Sequence, residues 1–160
     1  MSNLHPITIS SWTLGDQCSF EERVQAAKKA GYEGIGLRAE TYADALNEGL
    51  KDSDILAILE KYDMKATISI VGAYTEQAER EDDENPNYAY LKKQRIAEMA
   101  QSGRFEIGVH SYDMHGQKTR KGSAKNKGES TGQYQAVFRA DTEQCVALLA
   151  ECGVDANVYA

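Results

Sequence analysis

The chain has 160 residues, 41% apolar and 27% charged, with a formal net charge of −7. That length is enough for one domain with a buried core and falls short of the roughly 250 residues of a complete (βα)-barrel. The acidic balance argues against a general nucleic-acid binder, and no apolar run approaches the roughly 20 residues that span a bilayer.

Met1 to Pro6 offers neither a basic n-region nor an apolar h-region, so the sequence predicts a cytoplasmic chain without a signal peptide. Ile7–Trp12 is short and β-branched and predicts a first strand. Ser19 and Glu22 form a capping box, Phe20, Val24, Ala27 and Ala30 keep helical spacing, and Gly31 closes the helix. Gly34–Arg38 predicts a second strand. Ile55, Leu56, Ile58, Leu59 and Tyr62 mark the apolar face of a helix over 53–62, and Lys65–Val71 reads as the third strand. Residues 76–84 carry six acids against Arg80 alone and lead into Asn85-Pro86-Asn87, which reads as a solvated loop or an exposed, frayed helix. A helix is expected over 88–101, then a fourth strand over 105–110. Residues 116–128 hold five Lys/Arg and no acid. A helix over 131–152 follows, and 157–160 begins a fifth strand.

This order predicts an α/β fold: a mostly parallel sheet of about five strands with crossover helices. The expected architecture is a partial or rearranged (βα)-barrel in one domain over 1–160. Ligands in such folds gather at the carboxyl ends of strands, which selects 12–16, 38–40, 72–74 and 110–115. Two of the three histidines, His110 and His115, fall in the last of these. Neutral imidazole is a common zinc ligand, and the alternative is a polar loop with two unrelated histidines. A zinc site needs a third ligand, for which Glu40 and Asp113 stand at strand ends, with Asp16 behind them. Lys118 and Arg120 in the basic loop suit a phosphate or an anionic glycan, against the alternative of a solvated loop. Arg38 suits a sugar phosphate or a salt bridge with Glu40. No aromatic side chain interleaves the basic loop, so nucleic-acid stacking is not expected. There is no phosphate-binding Gly-Lys-Ser/Thr loop, dinucleotide glycine fingerprint or nucleophile elbow. Cys18, Cys145 and Cys152 read as reduced thiols, the last two packed in the core.

Two resemblances follow. From about Asp54 to Ala160 the chain resembles polysaccharide deacetylases of the NodB-homology type, through Lys61–Thr67, Ile96–Gly103 and Phe105–His115. The last stretch looks like that family's metal-binding His-Ser/Thr motif with one extra residue before the second histidine. By that resemblance His110 and His115 are ligands of Zn²⁺. Over about 1–70, Ile7–Asp16 and Ala26–Glu40 resemble the opening of sugar-phosphate isomerases and epimerases of the xylose-isomerase-like barrel class. The deacetylases carry an Asp-Asp pair at a strand end where this chain reads Leu37-Arg38-Ala39-Glu40. Glu40 falls near the metal-ligand position, and Asp113 is left as a substitute base. The two resemblances together imply an engineered chimera, isomerase-like over 1–53 and deacetylase-like over 54–160.

Three functional expectations result: a metal-dependent, weakly active or inactive carbohydrate deacetylase, a sugar-phosphate-binding or isomerising protein, and a folded scaffold without catalytic function. Carbohydrate or sugar phosphate is the expected partner, with no nucleic acid and no membrane. Open sheet edges imply a homo-oligomer.

Overall fold

A computed structural model describes residues 7–15, 17–82, 91–116 and 120–160. In chain order the elements are β1 (Thr8–Ser10), a 3₁₀ turn (Ser11–Leu14), α1 (Phe20–Lys29), β2 (Gly34–Gly36), α2 (Ala39–Asn47), α3 (Asp52–Lys61), β3 (Lys65–Val71), α4 (Gly72–Glu81), α5 (Lys93–Gln101), β4 (Phe105–Ser111) and α6 (Thr131–Glu151). The strands form a four-stranded parallel sheet in the order β1-β2-β3-β4. Spatial order therefore equals chain order, as helical crossovers of one hand produce in a barrel-like sheet. By contacts the chain divides into two compact units. The first holds the described residues of 1–68 and 99–106, the second those of 69–84, 90–98 and 107–160.

In the first unit, Ile9 pairs with Ile35 and Ile35 with Ala66 across parallel strands. Gly34 sits between β1 and β3, where an added Cβ would lie 2.8 Å from Thr8 Cγ2 and 3.2 Å from the Lys65 carbonyl oxygen. The missing side chain is what lets three strands close up there. α1 opens with the expected capping box and carries Glu21 and Glu22 in its first turn and Lys28 and Lys29 in its last, both complementing the helix dipole. Phe20, Val24, Ala27, Ile35, Ala45, Ile55, Ile58, Leu59, Met64 and Ala66 form one buried cluster. Each large member contributes about 1.5–3 kcal/mol by leaving water. Arg23 is buried beside this cluster, its Nε donating to the Cys18 carbonyl at 3.0 Å and its guanidinium 3.6 Å from Asp44.

In the second unit, Ile70, Ala78, Ile96, Ile107, Val109, Cys145, Leu148, Leu149 and Cys152 are buried. α6 opens with a second capping box, Ser130 with Gln133. Lys93 joins α5 to the end of α6 through Glu151 at 2.6 Å, while its backbone N–H donates to Glu79 at 2.8 Å. The end of the chain runs parallel to β4. Val109 N donates to Val158 O at 2.8 Å, and Ala160 N donates to Val109 O at 2.9 Å. Gly108 permits this approach, because an added Cβ would lie 2.9 Å from Val158 O.

The elements depart from expectation in four places. The fifth strand is a single parallel bridge, Tyr159 to Val109, so the sheet has four strands. β2 is three residues long and stops at Gly36. The chain then turns into α2, a helix that the sequence reading missed because Arg38 in its N-cap position makes no capping hydrogen bond. Of the two readings of the acidic stretch the helical one holds through Glu81, but the helix is not simply exposed: Thr75 and Ala78 are buried on one face, and Gln77 bonds Glu81 one turn on. Residues 83–90, where the third predicted helix was to begin, lie outside the described residues, and α5 starts at Lys93. Among the described residues no helix is long and apolar enough to cross a membrane.

Candidate functional site

β4 ends at Ser111, and the loop that follows carries the histidine motif. Its shape is set by neighbours within the second unit. Asp141, on α6, accepts hydrogen bonds from the backbone N–H of both Tyr112 and Asp113, each at 2.8 Å. One carboxylate thus satisfies two consecutive donors at a strand end, an arrangement favoured because each bond is charge-assisted. Ala73 N donates to Tyr112 O at 2.8 Å, which ties the loop to the first turn of α4. The Tyr112 ring lies over Gly72, where an added Cβ would be 2.6 Å from Cδ2. Its hydroxyl donates to Glu76 at 2.6 Å. That hydrogen bond to a carboxylate, with burial, holds the phenol above its usual pKa.

Within this frame His110 and His115 come together, their ring centroids 4.9 Å apart and their planes inclined by 55°. His110 Nδ1 bonds the Ala160 carbonyl. A carbonyl oxygen only accepts, so Nδ1 donates, and in the neutral imidazole Nε2 then carries the lone pair. Tyr74 meets His115 edge to face at 5.7 Å. Partial burial of the imidazole, followed by the neighbouring His110, lowers the pKa of His115. Its neutral form is the one that ligates a metal. Two imidazoles held this way fit the donor chemistry of zinc. Among the described residues, however, no group of three or more His, Cys, Asp or Glu gathers to hold a metal ion.

The remaining sequence candidates are placed as follows. The Asp113 side chain is exposed on the histidine loop, with its backbone fixed by Asp141. Glu40 lies in the first unit, in the first turn of α2, and pairs with Arg38 at 3.3 Å. Arg38 also stacks on the Trp12 ring, its guanidinium carbon 4.2 Å from the centroid. Arg120 is withdrawn from solvent. Glu129 binds both of its terminal nitrogens, at 2.9 and 2.5 Å, and the Ala124 carbonyl takes a further bond at 2.9 Å. The acid that neutralises it stands one residue beyond the stretch read as purely basic. The Arg120 guanidinium, with help from the Asn126 N–H, holds the Glu129 carboxyl down to about 2. Lys118 and Asp16 lie outside the described residues.

Sequence reasoning had selected the 72–74 strand end but gave Tyr74 no role, and it missed Asp141 and Glu76 altogether. Asp141 sits mid-helix and carries no motif, so only the fold reveals that it reaches the loop. Cys145 donates to the Ile70 carbonyl at 3.6 Å, and burial pushes its thiol up to about 11, so it packs and does not react.

A family model for polysaccharide deacetylases matches residues 41–160. Among solved structures, the chain is similar to the BpsB deacetylase domain from Bordetella bronchiseptica, with 17% identity and a TM-score of 0.55 over 96% of this chain and 62% of that one. It is similar to IcaB from Ammonifex degensii, with 16% identity and a TM-score of 0.51 over 93% of this chain and 60% of that one. It is also similar to a de-N-acetylase from Aggregatibacter actinomycetemcomitans, with 16% identity and a TM-score of 0.53 over 99% of this chain and 71% of that one. At these identities the likeness is one of fold, and the chain spans about three fifths of the length of the first two structures. No curated protein matches the sequence. The isomerase resemblance over about 1–70, and the chimera it implied, draw no support from these comparisons. The family match begins at position 41, inside that segment, and the structural likeness runs through both parts.

Proposed function

Because the chain belongs to the polysaccharide deacetylase family, we propose that it removes acetyl groups from a carbohydrate, slowly, at a zinc site of which His110 and His115 form half. The observation that carries this reading is the imidazole pair at the carboxyl end of β4, with its rings 4.9 Å apart and the His110 Nδ1 proton committed to a backbone carbonyl. His110 and His115 would hold the ion, which when bound supplies Lewis acidity to an acetyl carbonyl. The chain's own residues do the rest. The Ala160 carbonyl fixes the His110 tautomer, Tyr74 limits the swing of His115, and Asp141 holds the backbone between the two histidines. Asp113, exposed on the same loop, is the carboxylate that would take a proton from water.

An exposed carboxylate has no fixed aim, and loss of a positioned base costs about 10²–10⁴-fold. Turnover is therefore slow. Acetate release from an N-acetylglucosamine oligomer tests the reading. Zinc-dependent release that disappears in His110→Ala is expected, whereas release unchanged by that substitution contradicts it. β1 stands at one end of the sheet order. Its outer edge, unpaired among the described residues, is the proposed contact for a second copy, and light scattering that finds monomer alone would refute that.

A further inference from the structure

The first unit carries a surface that the deacetylase reading does not use. Trp12, the only tryptophan in the chain, is 65% exposed although Arg38 stacks on its ring. It stands in the turn after β1, and Arg38 stands just after β2, so both occupy carboxyl ends of neighbouring parallel strands. The turn is anchored: Ser11 is fully buried, and its hydroxyl shares a 2.7 Å hydrogen bond with Thr41 on α2. An exposed indole fixed in this way loses little freedom on meeting a ligand. Arg38 Nε and Nη2 bind the two Glu40 oxygens at 3.3 and 3.4 Å. The pair carries no net charge, and among the described residues the other N–H groups of Arg38 make no hydrogen bond.

We propose that Trp12, Arg38 and Glu40 form a subsite for a neutral pyranose ring of a polysaccharide. The indole takes the C–H face of the ring, and the Arg38–Glu40 pair takes its hydroxyls. Three observations favour this occupant. Among the described residues, the exposed chain neighbours of Trp12 are Ser10, Thr13 and Gly15, none of them a large apolar side chain, and Arg38 lies against its ring. The self-neutralised cation provides no net charge for the phosphates of a nucleic acid or a sugar phosphate. A planar donor pair beside an aromatic face suits a ring that is apolar on its faces and polar at its rim. The proposal rests on the carbohydrate reading above, but its test does not pass through the histidines.

The single tryptophan makes the test direct. N-acetylglucosamine tetramer is titrated into the whole chain while intrinsic fluorescence and heat are followed together, with glucose 6-phosphate as a second probe. A saturable change in Trp12 emission is expected, and Trp12→Ala, at an exposed site outside the core, should weaken calorimetric binding about tenfold or more. Arg38→Ala should weaken binding about three- to tenfold while leaving zinc uptake unchanged. Calorimetric binding with a silent tryptophan, or with equal affinity in Trp12→Ala, would overturn the subsite and leave the deacetylase reading standing. Tighter binding of glucose 6-phosphate than of the tetramer would overturn the neutral-ring assignment.

Discussion

The two strand-end clusters of this molecule use polar side chains in opposite ways. In the first unit Arg38 and Glu40 neutralise each other in the open, each about half exposed. In the second unit His110 is locked by a backbone carbonyl, His115 by an aromatic edge, and the loop between them by the Asp141 carboxylate. The first arrangement is a surface, and its value lies in what it presents to a ligand. The second is a supported geometry, and its value lies in the lone pairs it leaves unspent. Polarity at a strand end is therefore a poor guide to chemistry by itself. The support behind each side chain separates the two cases.

Four perturbations sharpen that contrast. The largest effects lie beneath both clusters: Leu59→Ala in the first unit and Leu149→Ala in the second each remove a fully buried side chain. Each should cost about 2–5 kcal/mol, read from the urea midpoint. Next comes Asp141→Ala, which strips the acceptor from two backbone N–H groups and should cost about 1–3 kcal/mol. Asp141→Asn should recover part of it, and equal stability of Asp141→Ala and wild type would show that the loop does not rely on α6. The third is a pH effect. The Glu129 carboxyl is held at about 2, below its ordinary 4.5, so its contribution is complete above about 4.5 and is lost as pH falls through about 2. Glu129→Gln should flatten the acid limb of a urea–pH series in that window. The smallest effect belongs to the surface pair: Arg38→Ala should change stability by less than about 1 kcal/mol. A larger loss would mean that the Arg38–Glu40 pair supports the fold in the way Asp141 does.

Much of this was legible in the residues. The capping box at Ser19 and Glu22, the apolar spacing of Ile55, Ile58 and Leu59, and the β-branched run of 65–71 set the helices and the longest inner strand, because local chemistry and burial agree there. The histidine motif stood at a strand end as expected. What escaped the reading depends on contacts distant in sequence. α2 has no capping hydrogen bond to announce it, and its burial through Thr41 and Ala45 exists only in the folded first unit. The acids of α4 looked solvated because its buried face is built from Gly72, Thr75 and Ala78, small residues with little hydropathy. Arg120 looked free because its partner lies just outside the basic run. Asp141 reaches Tyr112 across 29 residues, a distance no local pattern spans. The final residues have the character of a strand, but only Tyr159 forms a bridge.

Zinc content measured on the purified chain, on His110→Ala and on His115→Ala tests the central claim most directly. The account predicts that wild type takes up about one zinc per chain and that each substitution abolishes uptake while far-UV circular dichroism stays unchanged. Zinc bound equally by all three proteins, or by none of them, would contradict it.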